Sequence, residues 1–95
     1  MRPLNLLLLV GTRPEAVKLA PVVRVCRERP GQVRPVVCFT GQHRDLLTGA
    51  AEYFDLRPDA NLELMRPGQS LASLTAVCLE GIDEALGRFA PDCVV

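Results

Sequence analysis

The chain has 95 residues, 48% of them hydrophobic, with eleven basic and eleven acidic residues and a formal net charge of zero. That length fits one small domain or part of a larger one, and the apolar content supports a packed core and excludes disorder. Balanced charge, no basic block and a single lysine at position 18 argue against nucleic-acid or membrane-surface binding.

The first element is the run LNLLLLV, residues 4–10. It is too short to span a membrane and predicts an inner parallel strand covered on both faces. Gly11 then frees the chain to turn, and a helix is expected over residues 14–28. Two caps fit its start. Pro14 at the first helical position pushes Arg13 into the capping role; alternatively Thr12 caps and Glu15 reaches back in a Thr-x-x-Glu box. In both readings backbone N–H groups and the positive helix end converge on one spot, flanked by Arg13 and Lys18. Arginine offers a planar fork of donors and lysine a mobile point charge, a pairing suited to phosphate. The plainer reading is a capped helix with two solvated cations. A position beyond a strand's carboxyl end favours the anion site, because open α/β sheets bind ligands there. Pro21 falls inside this helix and should kink or restart it.

Arg29-Pro30-Gly31 stops the helix, and a second strand is expected over residues 33–40. Gly41-Gln42-His43-Arg44 reads as a loop, and a short helix fits residues 45–54. Pro58 and Asp59 break the chain before a short third strand over residues 61–65, and Arg66-Pro67-Gly68-Gln69 forms the next loop. The clearest helix covers residues 70–89, with Leu71, Leu74, Cys78, Ile82, Ala85 and Phe89 on one face and Glu80, Asp83, Glu84 and Arg88 on the other. Pro91 precedes Cys93-Val94-Val95, which reads as a fourth strand beginning.

Strands alternating with helices predict a three-layer α/β sandwich around a parallel sheet. Its three strand-to-helix loops then open on one edge, carrying Arg13 and Lys18, then Gln42 and His43, then Gln69 and Ser70. No linker, repeat or low-complexity tract is present, and the expected fourth strand breaks off as it starts, so the chain is read as the N-terminal piece of a longer polypeptide. Cys26, Cys38, Cys78 and Cys93 lack metal or redox spacing and sit in apolar stretches, which predicts reduced core thiols in a cytoplasmic protein. The leucine run lacks a small-residue cleavage site, so no secretion signal is expected. Gly11-Thr12-Arg13-Pro14 is not a dinucleotide fingerprint, and no Walker loop occurs.

The segments Gly11-Thr12-Arg13-Pro14-Glu15-Ala16-Val17-Lys18-Leu19-Ala20-Pro21, Thr40-Gly41-Gln42-His43-Arg44, Arg57-Pro58-Asp59 and Pro67-Gly68-Gln69-Ser70-Leu71 together resemble the non-hydrolysing bacterial UDP-N-acetylglucosamine 2-epimerases. The likeness covers the whole chain. It implies a GT-B-like architecture of two Rossmann-like domains with substrate in the cleft, residues 1–95 being the N-terminal part of the first and the second being absent. It also implies interconversion of UDP-N-acetylglucosamine and UDP-N-acetylmannosamine by elimination and re-addition of UDP, without metal or redox cofactor, in a cytoplasmic homodimer serving cell-envelope polysaccharide synthesis. By this resemblance Arg13 and Lys18 bind the substrate, whose departing diphosphate fixed cations would stabilise. Gln42, His43 and Gln69 correspond to a neighbouring site where some members bind a second UDP-N-acetylglucosamine as activator; Gly68 stands where some relatives have a basic residue. The family's catalytic acids and histidine fall beyond the matched segments, so no catalytic residue is assigned and the chain alone is expected to be inactive. Glu15, Asp45 and Asp92 are read as capping or solvated carboxylates. Two other classes fit the same residues: a non-catalytic nucleotide-sugar binding remnant, and a half-domain of a GT-B glycosyltransferase.

Overall fold

The computed structural model describes residues 2–41, 55–64 and 66–95. Within them the chain forms β1 (Leu4–Val10), α1 (Arg13–Arg27), β2 (Val33–Phe39), β3 (Ala60–Asn61), α2 (Leu71–Phe89) and β4 (Cys93–Val94). The expected helix over residues 45–54 lies outside the described residues. All strand pairings are parallel, in the order β3-β2-β1-β4.

Strand β1 is apolar apart from Asn5, in keeping with cover on both its faces. It pairs with β2 in an unbroken register from Leu4 opposite Val33 to Val10 opposite Phe39. The pleat sends Leu8, Val10, Val37 and Phe39 to one face, where Ala16 and Val23 of α1 and the connecting residue Leu56 meet them. Leu7, Val36 and Cys38 go to the other face, under Ala85 of α2, with Phe89 alongside. Leu7 and Leu8, neighbours in sequence, are both 0% exposed. The molecule is therefore the expected three-layer sandwich, and each fully buried leucine contributes on the order of 1.5–3 kcal/mol.

Thr12 is the N-cap of α1, in extended backbone, so the second of the two cap readings holds. Pro21 neither ends nor restarts α1, which runs unbroken to Arg27. The proline lies on the exposed side of the helix, where the carbonyl it leaves without a partner, that of the exposed Val17, can turn to water. Helix α2 is capped by the Ser70 hydroxyl, which accepts from Ser73 N–H at 3.0 Å. It ends at Ala90 in the left-handed region, with φ 44°. Its inward stripe differs from the expected one at the first position, where Leu71 is 82% exposed. Gly81 lets Leu64 lie against the helix; a Cβ there would meet Leu64 Cδ2 at 2.9 Å.

The two outer strands enter the sheet by the same device. Asp59 N–H donates to Val37 O at 2.7 Å, and its carboxylate accepts from Val37 N–H at 2.7 Å. Asp92 N–H donates to Asn5 O at 2.8 Å, and its carboxylate accepts from Asn5 N–H at 2.8 Å. In each Pro-Asp pair the proline stops the preceding segment, and the aspartate side chain serves as the acceptor the short strand lacks. Strand β3 is shorter than the expected residues 61–65, because Glu63 takes φ 49° and leaves the β region. Pairing continues in part beyond it, with Leu62 N–H bound to Phe39 O at 2.8 Å and Leu64 N–H bound to Thr40 O at 2.9 Å.

Candidate functional site

Strand order turns at β1, with β2 on one side and β4 on the other. In open parallel sheets such a reversal leaves a crevice outside the carboxyl ends of the strands, because the two crossovers run to opposite faces. The elbow Gly11-Thr12-Arg13 lies at this point, directly after Val10. Gly11 is buried, Thr12 half-buried, and Arg13, Pro14, Glu15 and Lys18 are exposed. Arg13 is the first helical residue and Lys18 follows within the next turn and a half, so both cations belong to the same end of α1. Neither takes part in an ion pair among the described residues.

The backbone of the elbow is not the open cradle expected from the sequence. One carboxylate oxygen of Glu15, Oε2, accepts from Gly11 N–H at 2.5 Å and from Thr12 N–H at 3.0 Å. Pro14 has no N–H, and Ala16 N–H is bound to Thr12 O at 3.1 Å. The Thr-x-x-Glu pattern thus supplies its own anion: the glutamate three residues past the cap is within reach of amides that would otherwise face a ligand. What remains for an external anion is carried mainly by the two side-chain cations.

The second loop starts at Gly41 and the third follows β3, both at the carboxyl ends of their strands. Gly41, with φ +83°, crosses the chain leaving β3 so closely that a Cβ would lie 2.7 Å from Glu63 Cα. Gln42 and His43 follow immediately but lie outside the described residues. In the third loop Gln69 is bound on both sides of its amide: Nε2 donates to Leu64 O at 3.1 Å and Oε1 accepts from Arg66 N–H at 2.7 Å. Arg66 in turn donates from its guanidinium to Glu63 O. Gln69 is therefore a brace of the β3-to-α2 loop, next to the point where Gly41 crosses it. Composition hid this crossing; the only signal was a glycine directly after a strand, where close backbone approach is a recurring reason for the residue.

Among the described residues no group of three or more metal-ligating side chains comes together. Of the carboxylates weighed from the sequence, Glu15 is engaged in the cap and Asp92 at the opposite edge of the sheet, and Asp45 lies outside the described residues. Arg2 grips Asp92 with both Nη atoms, at 2.8 and 2.6 Å. That hydrogen bonding, followed by the Asn5 amide, holds the Asp92 carboxyl down at about 2. Cys26 and Cys38 are buried as expected, and burial pushes the Cys38 thiol up. Cys78 is half-buried and Cys93 exposed, the latter because β4 is an edge strand. No helix among the described residues is long and apolar enough to cross a membrane.

A doubly covered parallel sheet with a strand-order reversal defines the class of Rossmann-like α/β domains, which take ligands at the carboxyl edge of the sheet. Known proteins narrow that class. The family model described as UDP-N-acetylglucosamine 2-epimerase matches residues 24–95. A UDP-N-acetylglucosamine 2-epimerase of Escherichia coli K12 is 40% identical over 92 residues, spanning 97% of this chain and 24% of the relative. Among solved structures, the Neisseria meningitidis UDP-GlcNAc 2-epimerase bound to UDP-GlcNAc superposes with TM-score 0.85 and 36% identity, over 96% of this chain and 25% of that one. A Staphylococcus aureus protein solved with UDP gives TM-score 0.84 at 28% identity, over 99% and 24%. The chain belongs to the UDP-N-acetylglucosamine 2-epimerase family. It spans about a quarter of the length of the curated relatives it matches.

Proposed function

We propose that this chain forms the diphosphate-binding edge of a non-hydrolysing UDP-N-acetylglucosamine 2-epimerase, with Arg13 and Lys18 as its substrate contacts. The observation that carries the reading is the position of both cations beside the elbow at the strand-order reversal. Two neighbours in fold were solved with UDP-GlcNAc and with UDP, which supports a uridine diphosphate ligand. In the proposed reaction UDP leaves by elimination across C1 and C2 of the sugar and returns to the opposite face, giving UDP-N-acetylmannosamine. Elimination concentrates negative charge on the departing diphosphate, and two fixed cations at that point lower the barrier to its departure. The proton removed at C2 needs an acid–base pair. Glu15 and Asp92 are committed to the cap and to the sheet edge; by the family resemblance the pair lies beyond the segments this chain matches, and the chain alone is expected not to turn over.

The same proposal includes a GT-B-like frame of two Rossmann-like domains, residues 1–95 supplying part of the first, and a homodimer in the cytoplasm. Free cysteines fit a reducing compartment, and exposed Leu71 and Leu79 on α2 are suited to contact with a second copy. A second nucleotide-sugar site at Gln42, His43 and Gln69 belongs to this reading too, with Gln69 shaping the loop through its bonds to Leu64 and Arg66.

The test exchanges the matching quarter of the E. coli relative for residues 1–95 and follows UDP-N-acetylmannosamine formation from UDP-N-acetylglucosamine. A folded chimera that turns over supports the proposal, and one that binds no UDP contradicts it. Arg13→Ala and Lys18→Ala are each expected to weaken UDP binding by about 1–3 kcal/mol, the range for hydrogen bonds to charged groups.

A further inference from the structure

We propose that Glu15 sets the anion affinity of the β1–α1 elbow by acting as an internal competitor for its amides, an inference that rests on the reading of Arg13 and Lys18 as diphosphate contacts. Its carboxylate oxygen sits on the N–H groups of Gly11 and Thr12, at 2.5 and 3.0 Å. These two consecutive amides belong to the turn just ahead of a 15-residue helix, where backbone donors and the positive helix end can together seat a phosphate oxygen. Here a covalently tethered negative charge already holds that seat. Pro14 supplies no donor, and Ala16 N–H is satisfied by Thr12 O, so of the amides around the turn Arg13 N–H is the one left to a ligand beside the side-chain cations.

Two consequences follow for a diphosphate arriving at this edge. The ligand is gripped by the Arg13 and Lys18 side chains and not by the Gly11 and Thr12 amides. It also meets the Glu15 charge at close range, a like-charge repulsion that Coulomb's law makes appreciable over a few ångströms even in a partly wet site. Glu15 thereby stiffens the elbow and caps the helix, while holding affinity for the diphosphate below what the two cations alone would give. Such an arrangement suits a site that must let a nucleoside diphosphate go and take it back. The glutamate is a specificity-determining residue for charge: it weakens binding of the anionic diphosphate and leaves the uncharged nucleoside unaffected.

The experiment titrates UDP and uridine calorimetrically into the intact protein and into Glu15→Gln, Glu15→Asp and Arg13→Ala variants, with thermal unfolding of each as a check on the fold. Glutamine keeps an oxygen that can accept from both amides but removes the charge. Glu15→Gln is expected to bind UDP about three- to tenfold tighter, with the gain shrinking as salt is raised and uridine binding unchanged. Glu15→Asp, which keeps the charge, is expected to show no gain. A purely structural cap predicts equal or weaker UDP binding for Glu15→Gln; that result, with Arg13→Ala still losing affinity, overturns the role of Glu15 alone. If Arg13→Ala binds UDP as the parent protein does, the underlying site reading fails as well.

Discussion

Replacing Gly41 by alanine tests the crossing of two loops that shapes the carboxyl edge. Two costs add at this position. The first is torsional: Gly41 has φ +83°, and an L-residue held in the left-handed region loses about 1–2 kcal/mol. The second is steric, because the new Cβ would stand 2.7 Å from Glu63 Cα, 3.0 Å from Glu63 N and 3.2 Å from Leu64 N. These are backbone atoms, anchored by the Leu64 N–H bond to Thr40 O at 2.9 Å, so no side chain can swing away, and forcing them apart costs about 1–3 kcal/mol. The expected total is about 2–5 kcal/mol of lost stability, read as a lower denaturant midpoint with an unchanged slope. Two other glycines separate the terms. Gly68 has φ +74° with nothing within 4 Å, so Gly68→Ala should show the torsional cost alone, and Gly31, with no neighbour within 4 Å and no positive φ, should tolerate alanine. If Gly41→Ala were no more destabilising than Gly68→Ala, the close approach of the two loops would be refuted.

Three further outcomes follow from the geometry. The Asp92 carboxyl is held at about 2, below its ordinary 3.8, so its contribution to stability is fully present above pH 4 and lost as pH falls toward 2. Acid unfolding of Asp92→Asn should therefore be flatter over that interval than that of the parent protein. With a thiol reagent under native conditions Cys93 should react first and Cys78 next, while Cys26 and Cys38 react only on unfolding, countable by mass spectrometry. Ser70→Ala removes the hydroxyl that accepts from Ser73 N–H and should cost about 0.5–2 kcal/mol in the same denaturation assay.

The elements were legible where local chemistry decides them. The run of residues 4–10 announces a strand buried on both faces, and the alternate exposure of Leu7 and Leu8 to opposite layers follows from the pleat. Glu15 three residues after Thr12 announces a capping box, but the spacing does not show that the same side chain occupies the Gly11 and Thr12 amides a ligand could use. Pro21 misled because a proline's effect depends on which side of the helix it faces, a property of packing and not of sequence spacing. Leu71 fits the apolar spacing of α2 but is exposed at its first turn, so periodicity alone overcounts the buried stripe by one residue. The reversal of strand order at β1 is invisible to any local pattern, since it is set by which edge each crossover joins. It is that reversal which turns two cations after a strand into a candidate site.

The central claim is that the diphosphate of UDP is held at the β1–α1 elbow by the side chains of Arg13 and Lys18. NMR titration of the isotope-labelled protein with UDP tests it most directly, following backbone amides together with the Arg13 Nε and Lys18 Nζ groups. The account predicts the largest shifts at these two side chains and around Gly11 and Thr12, with Asn5, Val33 and Asp92 at the opposite edge of the sheet unmoved. Shifts concentrated at that opposite edge, with Arg13 and Lys18 silent, would contradict it.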